Sequence, residues 1–288
     1  MINLKEHQPA LDIDGQIANL LSIGLIIEDL DYAKGILNDI SYFRLIKGFG
    51  FGLKPKNASF KSVSFSQIVQ LYFFNCNLRQ IIFPAIEVIE INLRCRMANH
   101  ISSKYGCFGY KDPSNFATIE YHTEFIDEID SEIRRNYQSP FVANFQNNYN
   151  GGELPFYALI ELFSFGLLSK FFKNLRNEDK KEIAKSFGTG YTYFESWIES
   201  ISHVRNICAH YGRLYNAKLS KSPKLYSQYT GISNYRIFAI ILCIKHILKD
   251  CKAWNKILCD LTCLMSRYKD VCLERIGFPE NWRDVLMQ

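Results

Sequence analysis

Apolar side chains return at three- and four-residue spacing along almost the whole chain, and no stretch shows convincing two-residue alternation. A half-buried strand needs period two, whereas this spacing builds the apolar stripe of a helix, so the fold class is all-α. The 288 residues are enough to bury a core, and 48% hydrophobic against 22% charged residues excludes the natively disordered class. The 34 Lys plus Arg exceed the 29 Asp plus Glu by only five, which permits an acidic partner such as RNA without demanding one.

The pattern divides the chain into an N-terminal helical region with a loop over residues 1–63 and a helical bundle over 64–288, with a soft lobe boundary near 146–153. Two short helices joined near Gly24 occupy roughly 10–48, and the tail ISYFRLIKGFGFGLKPKN, including GFGFG at 48–52, reads as loop. Ser64 followed three residues later by Gln67 is a capping-box start for a long helix running through Leu71, Leu78, Ile86 and Leu93, with a kink at Pro84. Further helices are expected at 118–137, 155–175, 191–211, 231–251 and 254–268.

Several classes of function find no support. The start MINLKEHQPALDIDG lacks an apolar run after a basic segment, and the most apolar stretch, PFYALIELFSFGLLSKFF, is broken by Glu161 and Lys170. The expected setting is therefore the cytoplasm, with no membrane partner. Nine scattered cysteines then read as buried free thiols, with Cys76, Cys95, Cys208 and Cys243 inside apolar helical patterns. Cys243, His246, Cys251, Cys259 and Cys263 lack the paired C-x-x-C form of a closed zinc site, and no phosphate-cradling glycine motif occurs, so neither metal nor cofactor is expected.

The informative segment is FESWIESISHVRNICAHYGRLYN, residues 194–216. Phe194, Trp197, Ile201, Val204 and Cys208 fall on one helical face, and Glu199, His203, Asn206 and His210 form a polar stripe at intervals of four, three and four. Arg205 lies about 140° from His210 on an ideal helix and must use its long stem to reach the same site. Gly212 is the expected cap after His210. Such a stripe alone is ordinarily a solvated face. A guanidinium, a carboxamide and an imidazole within six residues nevertheless suit phosphodiester chemistry: the imidazole moves a proton near neutral pH, and the guanidinium holds a phosphate by paired hydrogen bonds.

RNICAHYGRLYN, Arg205 to Asn216, resembles the R-N-x-x-x-H signature of the HEPN superfamily, in particular the Abi-like (AbiD and AbiF type) proteins of bacterial phage defence. GLIIEDLDYAKGILNDISYFRL, LYFFNCNLRQIIFPAIEVIEINLR and LPFYALIELFSFGLLSKFF are similar to further blocks of that family. The resemblance implies a HEPN-type helical bundle with an additional N-terminal helical region. It also implies a metal-independent endoribonuclease that cuts single-stranded RNA as a homodimer and leaves a 2′,3′-cyclic phosphate. Arg205 and His210 would be the catalytic pair, with Asn206 beside the arginine. Toxin activity in abortive infection would be restrained by a structured small RNA or a protein inhibitor. Gly212 stands where some HEPN toxins carry a modified tyrosine, which argues against control by that route. The reading from a different class is a catalytically silent HEPN scaffold that binds RNA or protein.

Downstream, Arg213, Lys218, Lys221 and Lys224 are interleaved with Tyr211, Tyr215, Tyr226 and Tyr229, a pairing that would track phosphates and stack on unpaired bases, or else a solvated loop with incidental tyrosines. The basic group from Lys170 to Lys185 reads as ordinary helix surface. Glu161, inside an apolar helix, needs a cation or a donor: Arg205, another helix or a backbone amide. Glu161 and His203 are thus the candidates to support the pair.

Overall fold

The computed structural model describes residues 9–50, 53 and 62–288. Its α-helices are α1 (Ile13–Ser22), α2 (Leu30–Asp39), α3 (Phe65–Tyr105), α4 (Ile119–Arg135), α5 (Pro140–Asn148), α6 (Phe156–Leu159), α7 (Phe165–Asn174), α8 (Asn177–Ser186), α9 (Tyr191–Ala209), α10 (Ile237–Ile247), α11 (Cys251–Arg267) and α12 (Trp282–Met287). Among the described residues there is no strand, only the isolated bridges Ile26–Ser64 and Phe116–Leu175. The fold is all-α. No helix among the described residues is long and apolar enough to cross a membrane.

The chain forms two compact units, Met1–Leu78 with Leu264–Val271, and Arg79–Cys263 with Cys272–Gln288. The lobe boundary expected near 146–153 falls inside the second unit.

In the first unit, Asp12 and Asp29 cap α1 and α2 by accepting from the amides of Gly15 and Tyr32. The capping box that opens α3 is reciprocal: Gln67 N–H donates to Ser64 Oγ at 3.2 Å, and Ser64 N–H donates to Gln67 Oε1 at 3.0 Å. The tail after α2 differs from expectation. Residues 42–50 are helical, with a π turn over Phe43–Lys47, because Leu45, Ile46 and Phe49 have apolar surface to bury. The expected loop beyond that point lies largely outside the described residues.

α3 continues through Pro84 for 41 residues, although the missing N–H leaves Gln80 C=O without its usual intrahelical donor. In the second unit α9 packs against α7, α8 and α10, burying Phe194, Trp197, Ile198, Ile201 and Val204. α10 is apolar all round and buried along nearly its whole length, as a central core helix should be. The rings of Phe116, Phe125, Phe156, Phe163 and Phe171 form one cluster with centroid separations between 4.8 and 6.2 Å. α8 is tied to the end of α3 by Asp179, whose fully buried carboxylate accepts from Lys104 Nζ and Tyr105 OH, both at 2.8 Å, and lies 2.6 Å from His100 Nε2.

The single helix expected over 155–175 is broken. α6 gives way to a 3-10 turn at Ile160–Leu162, Phe163 is extended, and α7 restarts where Ser164 Oγ accepts from the amide of Leu167 at 3.2 Å. The thiols also depart from expectation: all nine cysteines are free, but only Cys208 and Cys243 are buried, and Cys95 is exposed.

Candidate active site

The motif helix α9 presents Arg205 toward α3. Arg205 Nε lies 3.4 Å from Oε2 of Glu90, and the other Glu90 oxygen is 3.4 Å from Arg94 NH2. That Arg94 nitrogen also donates to the carbonyl of Phe163 at 2.6 Å, and Arg94 NH1 stands 3.7 Å from Glu161 Oε2. The extended residue at the α6–α7 break therefore supplies an acceptor that fixes Arg94. Arg94 in turn fixes Glu90, and Glu90 holds the arginine of the motif. Glu90 is nearly buried, where an unpartnered carboxylate would be costly, and two guanidiniums flank it.

Glu161 is 57% exposed at its side chain, so the burial inferred for it is corrected. Its partner is Arg94 on another helix, not Arg205. Glu90 and Arg94 were missed by sequence reasoning. The available signal was E-x-x-x-R, Glu90 to Arg94, inside the otherwise apolar run AIEVIEINLR.

Beyond Arg205, the guanidinium NH1 approaches Asn206 Oδ1 at 3.5 Å. Asn206 and His210 are both exposed. α9 ends in a Schellman motif: the amide of Gly212 donates to Ile207 C=O at 2.7 Å and that of Tyr211 to Cys208 C=O at 3.2 Å. The left-handed residue is Tyr211, at φ 56°, and not Gly212 as expected. Glycine is needed at 212 for a different reason. A Cβ there would stand 2.8 Å from Ile207 Cγ2 and 3.0 Å from Ile207 O. Tyr211 is 69% exposed, with the Arg79 guanidinium 5.6 Å from its ring centroid. A tyrosine held at positive φ beside His210 is local strain of the kind that gathers at functional sites.

The rest of the polar stripe meets the basic loop, which runs antiparallel to α9. Ser220 Oγ is 3.1 Å from His203 Nε2, Lys221 Nζ is 2.8 Å from Glu199, and the Lys224 backbone bonds Ser196 Oγ and the Trp197 indole. Burial first, and then the Lys221 charge, lower the pKa of His203, so its imidazole is neutral at pH 7. Arg213, Lys218 and Lys224 are exposed, with Lys218 Nζ 5.5 Å from the Tyr235 ring centroid.

Of the four tyrosines, Tyr211 is at the surface, but Tyr215, Tyr226 and Tyr229 do not follow the lysines there. Tyr215 is only 3% exposed, so the base-stacking role expected of it is replaced by core packing. Tyr229 is buried against His246, and Tyr226 packs on Trp197 and Tyr193. Apolar rings in this segment close the core over α9 and α10, which period-free loop sequence could not reveal.

α7 meets the opposite side of the stripe. Glu199, His203 and Asn206 line an open groove of about 390 Å³ with Lys170 and Lys173. Of the basic group read as ordinary helix surface, Lys170 and Lys173 thus lie beside the motif. Among the described residues no group of three or more His, Cys, Asp or Glu is arranged to hold a metal ion.

Residues 35–216 match the model of a family described as Abi-like protein. That span covers the second half of α2 and continues through the whole of α9 to the end of the RNICAHYGRLYN segment. No curated protein and no solved structure matches the chain.

Proposed function

Because the chain belongs to the Abi-like protein family, we propose that it is an abortive-infection effector of the HEPN type, a metal-independent endoribonuclease acting on single-stranded RNA. The observation that carries this reading is the ion-paired placement of Arg205 on Glu90, one residue from Asn206 and on the same helix end as the exposed His210. A guanidinium held at ion-pair distance through its Nε side, with no hydrogen bond from that nitrogen, keeps its terminal nitrogens for a phosphate, and the imidazole is open to substrate.

In this chemistry the ribose 2′-oxygen attacks the adjacent phosphorus while His210 assists transfer of the proton it loses or delivers one to the departing 5′-oxygen. The bond between phosphorus and that 5′-oxygen breaks, and Arg205 balances the charge of the phosphorane. The products are a 2′,3′-cyclic phosphate and a 5′-hydroxyl, and no water is consumed. DNA has no 2′-hydroxyl and is inert. A second copy of the chain would bring a twin Arg/His set to the same phosphate. A protein or structured RNA that covers Asn206 and His210 would silence the site.

Incubation of the purified protein with labelled single-stranded RNA in EDTA tests the reading. The expected result is fragments ending in cyclic phosphate, lost in His210→Ala and Arg205→Ala proteins of unchanged helical circular dichroism. Intact RNA with the parent protein, bound but uncut, would favour the scaffold.

A further inference from the structure

Tyr211 is an aromatic residue placed where neither the backbone nor the core accounts for it. Its φ of 56° suits glycine or asparagine and strains a bulky ring. At 69% exposure the side chain is too far out for burial against the core to offset that strain. What the ring meets therefore lies outside the chain.

The ring is also held in place. The Arg79 guanidinium, on α3 and itself only 8% exposed, stands over it 5.6 Å from the centroid, within cation–π range. The backbone is fixed by the Schellman turn, in which Gly212 packs too closely on Ile207 to carry a Cβ. A packed cation thus backs one face of the ring and leaves the opposite face to solvent. An aromatic ring that is already oriented loses little freedom when a flat ligand lies on it, which makes it a stacking platform.

Position decides what stacks there. Tyr211 directly follows His210, their Cα atoms about 3.8 Å apart across the peptide, and the segment beyond exposes Arg213 and Lys218. A flat, apolar face between an imidazole and cations suits a base on a phosphate backbone.

We propose that Tyr211 stacks an unpaired nucleobase of the bound strand, at or next to the phosphate that His210 reaches, and so sets the register of the strand at the site. The inference rests on RNA being the ligand, as read above, and not on its being cut. Stacking uses the face of the base and not its hydrogen-bonding edge, so any base is accepted and a missing base is not.

The test uses the full chain and two uncleavable 2′-O-methyl RNA probes of equal length and charge, one carrying its bases and one abasic throughout. Affinities are measured for the parent, Tyr211→Phe and Tyr211→Asn proteins, with helical circular dichroism and denaturant melts establishing that each is folded. Asparagine enters the left-handed region readily, so Tyr211→Asn keeps the turn and removes the ring. On the base-bearing probe Tyr211→Asn should bind about tenfold more weakly than the parent, and Tyr211→Phe should match the parent. On the abasic probe all three should bind alike, whereas a structural or electrostatic role would weaken both probes together. Unchanged affinity of Tyr211→Asn for the base-bearing probe, equal losses on the two probes, a Tyr211→Phe protein as weak as Tyr211→Asn, or no binding by the parent would overturn the stacking. Neither probe is cut, so the two readings fail separately. The expected pattern in a protein that cleaves no RNA would sink the nuclease and leave Tyr211 as a platform, and a cleaving protein indifferent to Tyr211→Asn would sink the platform alone.

Discussion

Glu90 Oε2 and Arg205 Nε stand 3.4 Å apart, and the same carboxylate turns its second oxygen to Arg94. The motif arginine is therefore positioned from α3, by a residue more than a hundred places earlier in sequence. Glu90→Gln should keep the shape but weaken the hold on both guanidiniums. Single-turnover cleavage at saturating RNA is expected to slow at least tenfold, about 1.4 kcal/mol in transition-state stabilisation, with RNA affinity nearly unchanged. An unchanged rate in a folded Glu90→Gln protein would show that Arg205 does not need this anchor.

The end of α9 makes a second prediction. A Cβ at residue 212 would meet both the side chain and the carbonyl of Ile207, so Gly212→Ala must open the Schellman turn that follows His210. A loss of about 1–3 kcal/mol is expected from overpacking alone. Tyr211→Gly should act the other way, relieving about 1 kcal/mol of left-handed strain, partly offset by the greater freedom of glycine in the unfolded chain. Denaturant melts of the two variants, set beside their cleavage rates, separate the stability of the turn from its role in placing His210.

Most of the helices are legible in the sequence because their apolar stripes repeat over many turns. The break at Phe163 is not: PFYALIELFSFGLLSKFF is apolar enough to pass for one helix, and only the cap at Ser164, with Leu167 three residues on, marks the restart. The RNICAH segment points to Arg205, Asn206 and His210 by local spacing. Glu90, which pairs with Arg205, and Lys173, which lines the same groove as Asn206, come from α3 and α7, and periodicity carries no information about which distant charges meet. Tyr215 misleads for a related reason. A tyrosine among lysines looks solvent-facing in sequence, and its burial follows only from how the segment folds back on the core.

Asp179 yields a pH prediction. Burial opposes ionisation of this carboxyl, but hydrogen bonds from Lys104, His100 and Tyr105 outweigh it and hold the pKa below the ordinary carboxylate value. A group depressed on folding stabilises the native state above its unfolded pKa, near 4, and loses that contribution as pH falls through the lower folded value. Stability of the parent should thus decline below about pH 4, and Asp179→Asn should flatten that limb. At pH 7 the substitution removes the acceptor of Lys104 and Tyr105, leaving Lys104 with Glu178 at 3.5 Å, and should lower stability by about 1–3 kcal/mol. Urea melts across pH 3 to 7 check both parts. A parallel decline in the two proteins would remove Asp179 from the account.

The basic loop gives the last prediction. Lys221 is held by Glu199 at 2.8 Å, and this hydrogen-bonded ion pair raises its pKa, so its charge is partly offset before any RNA arrives. Lys224 fixes the loop through its backbone, and Arg213 and Lys224 are exposed. Replacing Arg213 and Lys224 by Gln should weaken RNA binding and flatten the dependence of log affinity on log salt, by up to about 0.7 for each single-strand phosphate that is no longer neutralised. Lys221→Gln alone should change that slope less, because an ammonium already engaged by Glu199 neutralises less of a bound phosphate. Stability should move by no more than about 0.5 kcal/mol per surface site. Tyr215→Ala is the contrast: as a core residue it should lower stability by about 3 kcal/mol while leaving the salt slope of the folded fraction intact. If the Arg213/Lys224 variant kept the parental affinity and slope, the loop would be a strap along α9, holding His203 and Glu199 in place, and the RNA would have to cross the molecule elsewhere.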